Sequence, residues 1–219
     1  MRGLLNLDGP VMQFITKMVY SAYLNLLWFI CCLPVVTIGA STTALYYVSL
    51  KIVKNEEGNL TKAFFHSFKE NLKQGTVIWL ILLGLGIVLG VDGYVLYHMR
   101  FENAFWTLLT AVLIVAAVAY GIVLLYIFPL LARFSNTTKA MFKNSLMIGM
   151  RFLFCTALMA AIYFAMLYVI INVCTPMIVF GTGTCALLCS WLLSNILVQC
   201  EERAEEDVLE DEVLEDIIE

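Results

Sequence analysis

Residues 76–99 read TVIWLILLGLGIVLGVDGYVLYHM, an apolar run in which Asp92 is the one formally charged side chain. A helix of about 20 apolar residues crosses a hydrocarbon core of about 30 Å, so this run predicts a transmembrane helix. Further runs of the same character occupy residues 11–36, 104–129, 152–173 and 176–199. The short break at 174–176, which contains Pro176, suits a tight turn between the last two helices. The sequence therefore predicts an all-α, polytopic transmembrane helical bundle.

The composition supports a membrane protein with an acidic tail. Hydrophobic residues make up 62% of the 219 residues and charged residues 14%, against about 45–50% and about 25% in soluble domains. Residues 201–219, EERAEEDVLEDEVLEDIIE, hold 11 of the 17 acidic residues. We therefore predict a transmembrane helical domain at 1–200 and an acidic cytoplasmic tail at 201–219. The net charge of the chain is the sum of a basic region, 1–200, and an acidic tail, so it gives no indication of a nucleic-acid partner.

Residues 37–53, TIGASTTALYYVSLKIV, leave the number of spans open. The segment has the length of a short crossing but carries several hydroxyl side chains, so it is either a short membrane helix or an interfacial one. If it crosses, there are six spans, both termini are inside, and 12 of the 13 basic residues lie on or near the cytoplasmic side. If it does not, there are five spans, the amino terminus is outside, and ten basic residues remain inside. The positive-inside rule favours six.

Two similar phrases, NLTKAFF at 59–65 and NTTKAMF at 136–142, recur at an offset of 77 residues. Each lies in a lysine-rich segment, 51–74 or 130–151, and two clear crossings separate them, so they are predicted to share the cytoplasmic side. Asn and Thr ahead of Lys-Ala are good helix N-caps. Each copy therefore predicts a short amphipathic elbow helix at the cytoplasmic surface, the first with its aromatic residues 64, 65 and 68 on one apolar face. Coincidence is the alternative interpretation of the repeat.

The same segments provide a candidate contact surface for the tail. An acidic helix is repelled by anionic headgroups, so the tail either stays solvated and disordered or finds a basic partner. The nearest basic side chains are predicted to be Lys62, Lys69, Arg133, Lys139 and Lys143. We expect the tail to fold back over them or to bind an equally basic cytoplasmic partner.

Small residues suggest where helices pack closely. Gly86 and Gly90 form a G-x-x-x-G pattern, and Gly181 begins a ridge with Cys185 and Cys189. Such spacing lets helix backbones approach. We favour packing within the monomer over a dimer seam, and the sequence leaves the oligomeric state open.

Polar residues inside apolar runs are the other candidates. Asp92 is an intramembrane acid, which is a functional hypothesis by default. Counting about 1.5 Å per residue from Gly75 places it about 25 Å along the helix, near the opposite interface. We therefore favour an interfacial aspartate over a proton-coupling one. Asn25 is expected to hold helices together, whereas Thr37 and Ser41 belong to the one stretch that resembles a broken, solute-binding helix.

Chemistry-bearing motifs are absent from the sequence. It has no zinc-protease, nucleophile-elbow or phosphate-loop signature, and the seven cysteines all lie within or at the ends of apolar runs. The two histidines, His66 and His98, are expected on opposite faces of the membrane. We predict no enzyme, no metal site and no cofactor.

Several blocks together resemble the YesL family of bacterial integral membrane proteins, whose function is uncharacterised. They are LPVVTIGASTTALYYV at 33–48, FHSFKEN at 65–71 and YIFPLLARF at 126–134, and the similarity begins at LNLDGP, residues 5–10. The acidic tail departs from the family. Because members are often encoded beside carbohydrate uptake systems and their sensors, the resemblance implies a non-enzymatic inner-membrane protein accessory to sugar uptake, with a permease or sensor as partner. The alternative is a small membrane transporter of an unknown solute.

Overall fold

The computed structural model describes residues 10–56, 58–98, 104–172 and 181–199. Within these ranges the chain forms eight α-helices and no strand: α1 Pro10–Cys31, α2 Ile38–Val53, α3 Leu60–Glu70, α4 Leu72–His98, α5 Ala104–Arg133, α6 Thr138–Arg151, α7 Leu153–Asn172 and α8 Gly181–Gln199. A single 3-10 turn, Val35–Thr37, precedes α2. The predicted turn at 174–176 and the acidic tail lie outside the described residues.

Helices long and apolar enough to cross a bilayer make up most of the chain. Among the described residues, five segments meet both requirements: Val35–Val53, Leu72–His98, Phe105–Arg133, Leu153–Asn172 and Gly181–Gln199. Helix α1 has 22 residues and reaches about 33 Å at about 1.5 Å per residue, which also suffices. The prediction of an all-α polytopic bundle is confirmed.

The turn between α1 and α2 is closed by Thr37. Pro34 has no N–H to donate, so the helix cannot continue through it. The Thr37 hydroxyl donates to the carbonyl oxygens of Cys31 at 2.6 Å and of Pro34 at 2.8 Å. Thr37 therefore stabilises the turn through its side-chain hydroxyl, which donates to the backbone of α1 and of the turn.

Helix α2, the segment whose position the sequence left open, lies in the middle of the molecule. It packs against α1, α3, α4 and α5, and the Tyr46 hydroxyl lies 2.5 Å from that of Tyr163 on α7. Its threonines are satisfied locally, because Thr42 and Thr43 donate to carbonyl oxygens four residues earlier. Eleven of its residues are buried, so α2 is enclosed by other helices instead of lying on the outside of the bundle.

The outer helices present apolar side chains to their surroundings. Val88 on α4, Val115 on α5 and Phe164 on α7 are 56%, 70% and 72% exposed. Helix α4 is apolar all round, which is typical of a helix that contacts lipid on one side and protein on the other. Helix α5 runs on past the predicted end at 129 to Arg133, with Pro129 inside it.

Helices α3 and α6 are the two short helices that the repeated phrase predicts. Phe64 of α3 and Met141 of α6 hold matching positions in the repeat, and both are fully buried. Phe65 is 39% exposed and lies at the edge of the sector of about 100° that it shares with Phe64 and Phe68.

Candidate functional site

The amino-terminal ends of α3 and α6 are built alike. The Asn59 side chain accepts a hydrogen bond from the Lys62 backbone N–H at 3.2 Å, and the Thr137 hydroxyl accepts one from the Ala140 N–H at 3.4 Å. These bonds satisfy N–H groups that would otherwise lack partners in the first turn. The predicted N-cap residues are confirmed, with the cap one position later in the second copy.

The start of α4 connects the two short helices. The Gln74 side-chain amide donates to the Asn136 carbonyl oxygen at 2.6 Å, immediately before α6. Beside this bond lies an open groove of about 450 Å³, lined by Lys73, Gln74, Val77, Asn136, Thr137 and Thr138. The end of α3, the first turn of α4 and the start of α6 therefore lie on one surface.

That surface is basic. Five lysines from the two short helices and the first turn of α4 are exposed: Lys62, Lys69, Lys73, Lys139 and Lys143. We call this set the basic surface. In the part of the chain that the structure describes, the ion pairs at this end are Lys51 with Glu56 at 4.0 Å and His66 with Glu70 at 3.5 Å, and neither involves a lysine of the basic surface.

Arg133, the fifth predicted contact residue, is exposed at the end of α5. Its position continues the basic surface towards α6, although it already has an interaction with another group. Because the tail lies outside the described residues, its contact with the basic surface stays a prediction.

A second set of polar groups lies inside the bundle, between α1, α2 and α8. Asn25 is fully buried, and the Thr182 hydroxyl donates to its side-chain oxygen. A Cβ on Gly183 would lie 2.6 Å from the Ser21 carbonyl oxygen, so α8 follows α1 closely over this turn. The expectation that Asn25 joins helices agrees with this geometry.

Several other buried hydroxyls of the bundle lack partners among the described groups. The side-chain oxygens of Ser21, Ser49 and Ser190 are buried and make no hydrogen bond to described groups. The Trp28 indole on α1 donates to the Thr42 hydroxyl on α2 at 3.2 Å. Since the two helices run in opposite directions, Ser21, seven residues before Trp28, lies level with Ser49, seven residues after Thr42. Sequence analysis missed these serines because each is isolated in its own apolar run. Ser41, the other predicted polar residue, is fully buried near the start of α2.

Asp92 belongs neither to the basic surface nor to the polar groups around Asn25. It is exposed on α4, six residues before the helix ends at His98. At this end of α4 the centroids of the Tyr94 and His98 rings lie 4.1 Å apart. The interfacial interpretation of Asp92 stays a prediction.

The predicted small-residue contacts differ from one another. A Cβ on Gly86 would lie 2.7 Å from the Tyr120 hydroxyl of α5, and one on Gly181 would overlap Met166 of α7. A Cβ on Gly90 would meet nothing within 4 Å. Gly86 and Gly181 therefore sit at helix contacts, whereas Gly90 contributes to none among the described residues.

Groups that could hold a metal ion are not clustered in the described part of the chain. The described cysteines are free, and Cys185 and Cys189 are buried. Neither the basic surface nor the Asn25 region contains a histidine or carboxylate next to a nucleophile. The basic surface can bind an acidic group, and the Asn25 region a small uncharged polar group.

Comparison with known proteins gives a family of unknown function. Residues 21–93 match the family described as "Protein of unknown function, DUF624", a match that extends from the middle of α1 into α4. "Uncharacterized protein YteU" of Bacillus subtilis (strain 168) is 25% identical over 170 residues, which cover 74% of this chain and 73% of that protein. No solved structure matches the chain.

Proposed function

We propose that this chain is a non-enzymatic, multi-pass protein of the bacterial inner membrane that binds an acidic partner through the basic surface. The observation that carries the proposal is the bond between Gln74 and Asn136, which places the first turn of α4, directly after α3, beside the start of α6. Lysines concentrated on one side of a membrane protein favour the cytoplasmic side. The basic surface and the carboxyl terminus then face the cytoplasm.

The identity of the partner comes from resemblance. The DUF624 match includes two of the three blocks, at 33–48 and 65–71, by which the chain resembles the YesL family. We propose membership of that family and, with it, a role accessory to carbohydrate uptake. The partner is then a permease or sensor of such an uptake system, and an acidic cytoplasmic segment of it is what the lysines bind.

Co-purification from native membranes tests this proposal. The chain is compared with Lys62→Glu combined with Lys139→Glu, and with the charge-conserving control Lys62→Arg combined with Lys139→Arg. We expect mass spectrometry to detect an uptake-system protein with the unchanged chain and the arginine control, and to lose it with the glutamate variant. Equal recovery with all three, or recovery of no membrane partner with the unchanged chain, would contradict the proposal.

The polar groups around Asn25 favour a second candidate, a small transporter. Unpaired hydroxyls are costly inside a membrane protein and often mark a path for solute or ions. Ser21, Ser49 and Asn25 come from two helices that enclose this region together with α8. A transporter reconstituted alone in liposomes moves solute, and Asn25→Leu should then abolish that flux while leaving the amount of reconstituted protein unchanged. No flux of any tested sugar by the purified chain would count against this candidate.

A further inference from the structure

The first turn of α4 contacts the first turn of α2. A Cβ added to Gly39 would overlap the Gly75 carbonyl oxygen, and one added to Gly75 would lie 3.0 Å from the Ala40 nitrogen. Helix α4 also packs against the 3-10 turn Val35–Thr37. Backbones this close lie at the same depth in a membrane, whatever the crossing angle of the two helices.

This contact conflicts with a simple succession of six spans. If α2 crossed the membrane and α3 lay at the face where α2 ends, α4 would begin near Val53, the last residue of α2. From Gly39 to Val53 is about 21 Å along the axis at about 1.5 Å per residue. Gly75 instead lies beside Gly39.

Helix α3 explains how the chain returns. Among α1 to α7, α2 has its most extensive packing with α3, and Phe64 of α3 is fully buried in the common core. The 11 residues of α3 cover about 16 Å, enough to retrace most of α2. The chain thus goes out along α2 and comes back along α3.

The charges show that the outer side of this pair is in water or among headgroups. Lys62, His66 and Lys69 are exposed on α3, and Lys54 and Glu56 are exposed at the tip between the helices. Charged side chains facing lipid tails would cost several kcal/mol each. The pair therefore belongs to an aqueous face of the protein, while α1, α4 and α5 enclose α2 on its inner side.

We propose that α2 and α3 form a helical hairpin whose two ends meet at one face of the membrane, so that residues 38–71 make no net crossing. The end of α1 and the start of α4 then share a face, which the nearby Lys69 and Lys73 assign to the cytoplasm. Helices α4, α5, α7 and α8 cross the membrane in this arrangement, and the end of α8 returns to the face at which α4 begins. The proposed topology does not depend on the identity of the partner or on any role in uptake.

Single cysteines test the hairpin directly. Leu33, in the turn before α2 and 70% exposed, and Lys73, exposed in the first turn of α4, are replaced one at a time in a variant without the native cysteines. A membrane-impermeant maleimide is applied to cells whose outer envelope is permeabilised while the inner membrane stays intact, and separately to inverted inner-membrane vesicles.

The hairpin predicts that both positions are labelled from the same side, in inverted vesicles and not in cells. Val35, 59% exposed, and Leu72, 38% exposed, form a second pair that repeats the measurement at independent positions. Labelling of the turn before α2 from one side and of the first turn of α4 from the other, in either pair, would overturn the hairpin and support six crossings.

Discussion

At the scale of single residues, glycine controls where the helices meet. Gly39 and Gly75 allow two backbones to touch, and Gly183 allows α8 to approach the Ser21 carbonyl oxygen. The glycines that the sequence singled out, Gly86 and Gly90, form a familiar pattern, yet only Gly86 faces a neighbour. Spacing shows which small residues share a helix face, but it does not show which face meets another helix.

Substitutions at Gly39 and Gly90 should therefore have opposite outcomes. Gly39→Ala places a methyl group against the Gly75 backbone, and overpacking of this kind costs about 1–3 kcal/mol of the free energy of unfolding. Gly90→Ala has open space and gains helix propensity of up to about 1 kcal/mol. Unfolding in mixed detergent micelles measures both. Equal stability of the two variants would show that α2 and α4 are not in contact at Gly39.

Asn25 shows the same limit of inference from sequence. Its role as a buried amide joining helices could be predicted from its place in an apolar run. Its partner Thr182 could not, because 157 positions separate them and any of several polar residues would have served. The unpaired serines beside it were invisible for the same reason.

At the scale of elements, local chemistry defined the short helices well. Asn59 and Thr137 each precede a Lys-Ala pair, and each caps a helix whose buried residue, Phe64 or Met141, holds the matching position. Capping depends on neighbours within three residues, so the sequence contains all the required information. How α3 packs along α2 depends on distant contacts and did not follow from it.

Removal of a cap should loosen one short helix without unfolding the bundle. Asn59→Ala leaves N–H groups of the first turn of α3 without a partner, which costs about 0.5–2 kcal/mol. Hydrogen exchange of residues 60–64 should accelerate accordingly, while exchange in α6 stays unchanged. Asn59→Asp, which keeps the acceptor, is the control. Unchanged exchange in the alanine variant would mean that tertiary packing alone holds the start of α3.

The acidic tail should respond to salt if it binds the basic surface. Contacts between exposed charges weaken as ions screen them, over about 8 Å at physiological ionic strength. We expect hydrogen exchange of residues 204–219 in detergent to be slow at low salt and fast at high salt. The protection should also be absent from the variant with Lys62→Glu and Lys139→Glu. Fast exchange at both salt concentrations would exclude the intramolecular contact.

At the scale of the whole molecule, apolar length and composition predicted the fold class, whereas the path of the chain required the structure. The run at 76–99 contains enough information to call a membrane helix, since each such helix satisfies its own backbone hydrogen bonds. Residues 37–53 do not, because their hydroxyl groups suit either an enclosed helix or an interfacial one. Burial among α1, α3, α4 and α5 makes α2 an enclosed helix.

The central claim is that the two copies of the repeat form one basic surface on the cytoplasmic side. Its most direct test uses single cysteines at Gly58 and Asn136, which are both exposed and leave every lysine unchanged. An impermeant thiol reagent should label both positions in inverted vesicles and neither in intact cells. Labelling of either position from outside the cell would contradict the account.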